Sequence, residues 1–112
     1  MQRETQCQIA VVKFMRCHRL TFNASASGMH TSKTQAKIHK AMGVQKGFPD
    51  LMIFDPTPDD YVGFAIEMKS ETGRARPEQL DWLNKLEQLG WKTAVCKGTE
   101  EAITLIESTY NL

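Results

Sequence analysis

Residues 46–54 read KGFPDLMIF and residues 63–69 read GFAIEMK. Both are apolar runs that carry charge where a core strand ordinarily carries none: Asp50 heads the first, and Glu67 and Lys69 interrupt the second. Leaving a buried charge without its partner destabilises a fold by about 3–5 kcal/mol, so these charges are either solvated or present for a chemical reason. The run from Asp50 to Phe54 is too short for a helix and stops at the turn-forming stretch DPTPDD, residues 55–60. The chain then returns from Val62 to Lys69, which predicts an antiparallel hairpin. Side chains alternate across a strand, so Glu67 and Lys69 share one side while Ile66 and Met68 take the other. Alternation alone fits a half-exposed strand with Ile66 and Met68 inward. The hairpin register adds Asp50 opposite the Glu67 end, and the three charges then converge.

Outward from this hairpin, the N-terminal segment from Glu4 to about Cys17 places Cys7, Ala10, Val11, Phe14 and Met15 at helical spacing. LTFNASASGM, residues 20–29, predicts a short strand entering a turn at Gly28. TSKTQAKIHKAMG, residues 31–43, fits either a helix capped by Thr31 or Ser32 and stopped by Gly43, or a basic loop. After the polar turn SETGRARPEQ, Pro77 suits a first helical position. Leu80, Trp82, Leu83, Leu86 and Leu89 then form a wide apolar stripe ending at Gly90. WKTAVCK, residues 91–97, predicts a strand, and Thr99 caps a last helix whose first turn holds Glu100 and Glu101. The strand-helix-strand order implies a right-handed crossover and an α/β fold, a mixed β-sheet flanked by helices.

The length of 112 residues predicts one domain spanning residues 1–112. Fourteen basic and thirteen acidic residues leave a formal charge of +1, so a basic surface would have to be local. Cys7, Cys17 and Cys96 are odd in number and widely spaced, which predicts small buried thiols in a reducing, cytoplasmic compartment. No apolar run approaches the roughly 20 residues of a membrane span. Cys17, His18, His30 and His39 match no zinc spacing, and Trp82 and Trp91 are expected in the core or an interface rather than as base-stacking platforms.

Two carboxylates brought together repel unless one is protonated or a cation lies between them, and hard oxygen ligands select Mg²⁺ or Mn²⁺. A lysine one pleat away would bear on a water nucleophile and a phosphate oxygen, which is phosphodiester hydrolysis chemistry. Pro49-Asp50 followed by Glu67-Met68-Lys69 resembles the PD-(D/E)XK nuclease signature. From about Gly43 to Ile103, the KGxPD lead-in, the TG turn, the PEQ helix start and the LGW helix stop resemble the VRR-NUC domain, the virus-type replication-repair nuclease.

That resemblance implies a restriction-endonuclease-like PD-(D/E)XK core and a Mg²⁺- or Mn²⁺-dependent DNA endonuclease. It implies Asp50 and Glu67 as metal-binding carboxylates with the backbone carbonyl of Met68, Lys69 as the catalytic lysine, and Gln79 as a group holding the water or phosphate. An acid from the first helix often joins, and Glu4 is the candidate. Lys46, Arg74 and Arg76 flank the chemistry and are expected on DNA phosphates. Standalone relatives resemble two-fold resolvases, which implies a homodimer acting on branched DNA such as Holliday junctions, from a phage or other mobile element and, if viral, in the host cytoplasm. The alternatives are a non-catalytic DNA-binding module or a nuclease subunit of a replication or repair assembly.

Overall fold

The two charged runs become neighbouring antiparallel strands at the centre of a four-stranded sheet. A computed structural model describes residues 3–25 and 32–112. In chain order the elements are α1 (Glu4–Cys17), β1 (Phe22–Ala24), α2 (Lys33–Ala41), β2 (Leu51–Ile53), β3 (Phe64–Lys69), α3 (Pro77–Gln88), β4 (Lys92–Lys97) and α4 (Thr99–Tyr110). The sheet runs β1-β2-β3-β4, with β1–β2 and β2–β3 antiparallel and β3–β4 parallel. The parallel pair is joined through α3, as the strand-helix-strand pattern predicts.

Alternation sorts the sheet into two cores. Leu51, Ile53, Phe64, Ile66, Met68 and Cys96 face a layer formed by Cys7, Val11 and Met15 of α1 with Ala102 and Ile106 of α4. Met52 and Ala65 face Leu86 of α3, with Phe48, Trp82 and Trp91 packed around them. β3 is therefore covered on both sides, with every residue from Phe64 to Lys69 buried. The half-exposed strand that alternation alone allows does not form, because α3 closes the side that would have met water.

Several boundaries differ from the sequence expectations. The returning strand begins at Phe64, since Val62 donates its N–H to the Gly90 carbonyl and Gly63 lies too close to the Ile53 carbonyl and the Trp91 ring for a side chain. Asp50 and Phe54 flank β2 without belonging to it. The α3 stripe is narrower than predicted: Leu83 and Leu86 are buried, whereas Leu80 and Leu89 are 51% and 71% exposed. Leu80 lies on the flank of the helix, and Leu89 is its C-cap. The cap of α4 is Gly98, at φ +91°, and Thr99 is the first helical residue. Cys7 and Cys96 are buried, but Cys17 at the end of α1 is exposed. Within the segment 31–43, Lys33–Ala41 forms a helix rather than a loop, with Ser32 accepting from the Gln35 N–H as N-cap; Thr31, His30 and the turn at Gly28 lie outside the described residues. Among the described residues, no helix is long and apolar enough to cross a membrane.

Candidate metal centre

Three buried stripes end at one place. On α3, Gln79, Leu83 and Leu86 recur at i, i+4 and i+7, so Gln79 faces the sheet with the two buried leucines. On α1, Glu4, Cys7 and Val11 follow the same logic, and Glu4 sits in the first turn of the helix. On β3, Glu67 and Lys69 continue the side on which Ala65 packs. The β2–β3 register pairs Leu51 with Ile66, and one step further places Asp50 opposite Glu67. The carboxylates of Glu4, Asp50 and Glu67 offer oxygens that all lie within 4.8 Å of one another.

Around these acids the hydrogen bonds are directional. Met68 donates its backbone N–H to Oδ2 of Asp50 at 2.8 Å, so a side chain prolongs the strand pairing where β2 has ended. Gln79 uses both ends of its amide. Its Oε1 accepts from the Arg76 N–H at 2.8 Å, closing the first turn of α3, and its Nε2 donates to Oε2 of Glu67 at 3.0 Å. The first turn of α1 is held the same way, with Arg3 N–H donating to Oε1 of Gln6 at 3.0 Å. Nζ of Lys69 lies 3.4 Å from the same Glu67 Oε2. Glu67 is 1% exposed, and its other oxygen, Oε1, is buried with no hydrogen-bond partner.

An orphaned carboxylate oxygen in a dry site is costly. Burial first, then the negative charge of Asp50, push the Glu67 carboxyl up to about 8, outweighing the opposite pull of Lys69. Burial also raises Glu4, with Asp50 adding to it and Lys69 and Arg76 opposing. These all-oxygen donors suit a hard divalent cation, which would take the orphaned oxygen and relieve the repulsion. Glu4, Asp50 and Glu67 therefore fit a metal.

A cavity of about 280 Å³ opens onto this cluster, lined by Glu4, Lys46, Gly47, Phe48, Asp50, Glu67, Lys69, Arg76, Glu78 and Gln79. Lys46 reaches Glu78 at 3.8 Å across its rim. Gly47, at φ +83°, presses so closely on the Glu78 backbone that a Cβ would lie 2.9 Å from it, so the KGFPD segment docks directly on the start of α3. Phe48 continues the contact, edge-on to Trp82 with ring centroids 5.0 Å apart. A larger depression of about 630 Å³ at the start of α4 is lined by Glu71, Lys97, Glu100 and Glu101 among others. It is shallow and holds no orphaned buried oxygen among the described residues, so the smaller cavity is the chemically equipped one.

Of the residues singled out in the sequence, Glu4, Lys46, Asp50, Glu67, Lys69, Arg76 and Gln79 meet at this cavity. Met68 points its side chain into the opposite core. Arg74 is exposed and is not in the cavity lining. Glu78 was not anticipated: its contacts with Lys46 and Gly47 are made across the fold, and only its place beside Gln79 in the PEQ turn hinted at it.

Comparison with known proteins agrees with this architecture. The VRR-NUC domain family model matches residues 1–100, which includes α1 and Glu4. The chain belongs to the VRR-NUC family. It is thus a nuclease-superfamily domain. A solved structure titled "VRR_NUC domain protein" superimposes with a TM-score of 0.77 at 24% identity, covering 98% of this chain and 89% of that one. At that identity the likeness carries the fold, a mixed sheet flanked by helices. No curated protein matches the chain.

Proposed function

We propose that this VRR-NUC chain is a divalent-metal-dependent endonuclease that hydrolyses DNA phosphodiesters, with branched DNA such as four-way junctions as its preferred substrate. The observation that carries the reading is the buried, unpartnered Oε1 of Glu67 within a cluster of three carboxylates, with a buried lysine alongside. Glu4, Asp50 and Glu67 would hold Mg²⁺ or Mn²⁺, with the Met68 carbonyl added by family resemblance. Such an ion polarises a phosphoryl oxygen and lowers the pKa of water.

The chain's own residues do the rest. Lys69 is 7% exposed and its Nζ lies 3.4 Å from Glu67 Oε2, where it would orient the attacking water and steady the charge that develops on phosphate. Gln79 acts in part through Glu67. One of its two Nε2 hydrogens fixes Glu67 Oε2, and the other, at the cavity wall, would serve a water or phosphate oxygen. Lys46 and Arg76 at the rim, with Arg74 on the adjoining turn, would hold flanking phosphates. A domain this small has little surface with which to read DNA shape, which favours a homodimer that offers two sites to two strands. Such a protein would work in the cytoplasm, including that of a host cell.

The test is to incubate the protein with Mg²⁺ or Mn²⁺ and labelled single-stranded, duplex, flap and four-way-junction DNA, beside Asp50→Ala and Lys69→Ala. Junction cleavage by the wild type and none by the variants is expected. Cleavage that survives both substitutions rejects the site. Equal cutting of duplex and junction rejects the branched preference alone, and a monomer in sedimentation at micromolar concentration rejects the paired sites.

A further inference from the structure

The formal charge of +1 conceals a division along the chain. Residues 1–49 contain eight Lys and Arg and a single acid, Glu4, whereas residues 50–112 contain six basic and twelve acidic residues. From residue 5 to residue 49 there is no Asp or Glu at all. Within the later part of that acid-free run stands α2, a well-capped helix with no buried residue. Lys33, Lys37 and Lys40 follow i, i+4, i+7 spacing and so line one side of it. All three are exposed, and among the described residues none lies within 4.0 Å of an acid.

The stripe spans seven residues of helix, about 10 Å at 1.5 Å per residue, which matches roughly three nucleotides of rise along one strand of duplex DNA. Three unneutralised lysines at that pitch match a row of phosphates in charge and in length. The connection to the cavity runs along the chain. After Met42 caps α2, the chain runs through Lys46, on the cavity rim, to Asp50 inside it. Gly47 pins that run against α3, so the segment between α2 and the acids is anchored at its far end.

We propose that the lysine side of α2 is a phosphate-backbone grip that holds DNA leading into the acidic cavity. The proposal rests on the nuclease reading for its substrate but not for its measurement, which needs no cleavage. Binding of a short DNA duplex is followed against salt in metal-free buffer, for the wild type, the triple variant Lys33→Gln/Lys37→Gln/Lys40→Gln and the triple variant Lys33→Arg/Lys37→Arg/Lys40→Arg. Lys85→Gln, which removes a surface lysine of α3 paired with Asp81 and set over the Trp82 ring, is the control.

The glutamine variant is expected to bind on the order of tenfold or more weakly at low salt, with the slope of log affinity against log salt reduced by about 2 to 3, near 0.9 for each phosphate left without its cation. The arginine variant and the control keep the wild-type slope. With metal and saturating DNA, the glutamine variant keeps its kcat while its KM rises. An unchanged slope in the glutamine variant overturns the proposal, as does an equal loss in the arginine variant, which would trace the effect to the helix and not to its charge. Wild-type binding to phosphatidylserine vesicles, with a DNA slope that ignores the three lysines, also overturns it and assigns the helix to a membrane surface. A wild type that fails to cut DNA but shows the lysine-dependent slope removes the nuclease reading and leaves the grip standing.

Discussion

β3 and α2 depart from the usual distribution of side chains in opposite directions. β3 holds Glu67 and Lys69 at 1% and 7% exposure, inside a sheet covered on both sides. α2 leaves Ile38 and Met42 at 53% and 76% exposure on a helix that buries nothing. The contrast lies in what each element rests on. β3 is paired along both edges and packed against two cores, so the scaffold can hold a costly charge in place. Nine residues of helix in water have little stability of their own beyond their cap, so α2 can change its side chains without disturbing the site's frame. Rigid chemistry and adaptable contact are thus assigned to different elements.

The substitution that breaks this contrast most severely is Glu67→Gln. Cleavage is expected to fall on the order of 10³-fold, the scale of removing one preorganised electrostatic partner at a reacting centre. Stability should move the other way. Because the Glu67 carboxyl is pushed up to about 8, the folded chain holds a proton that the unfolded chain has released above the ordinary value of 4.5. Metal-free wild type therefore loses stability as pH rises from about 4.5 to about 8, and Glu67→Gln, with no proton to lose, does not. Thermal melts at both ends of that range, with and without Mg²⁺, check this: added Mg²⁺ should stabilise the wild type more at the upper end, and the variant little at either. Parallel melting curves for the two proteins would count against a strained carboxylate.

Next in size is the packing difference itself. Ile66→Ala, in a fully buried position of β3, should destabilise by about 2–5 kcal/mol. Ile38→Ala on α2 should stay within about 0.5 kcal/mol. Urea unfolding measures both, and comparable losses would mean that α2 is packed against the body. Smaller again is Gln79→Ala, expected to weaken metal affinity or activity about 10- to 100-fold, as supporting partners of a metal site do. A Mg²⁺ titration reads it, and an unchanged affinity would mean that Glu67 holds its place without the amide.

Much of this was readable in the order of residue types. Hairpin, crossover and helix order follow from period and punctuation, and Asp50, Glu67 and Lys69 stood out because charge interrupts otherwise apolar runs. Less was readable wherever contacts join distant segments. The burial of the second side of β3 depends on α3 docking over it, which no local pattern in GFAIEMK announces. Glu4 shares a helix side with core residues, but its meeting with Asp50 depends on how α1 crosses the sheet. The double use of the Gln79 amide depends on a cap and a strand coming together, and the Glu78–Gly47 contact on a backbone approach that only a glycine permits. The narrowing of the α3 stripe has a similar origin: Leu80 matched a helical period, but it lies beside the buried side of Leu83 and Leu86 and stays exposed.

The packing of α1 against α4 reaches the acid cluster from a distance. Glu4 is placed by a helix whose buried side, Cys7, Val11 and Met15, is completed by Ala102 and Ile106. Loss of packing at Ala102 or Ile106, which are not in the cavity lining, would therefore loosen Glu4 while leaving Asp50, Glu67 and Gln79 on the sheet and α3.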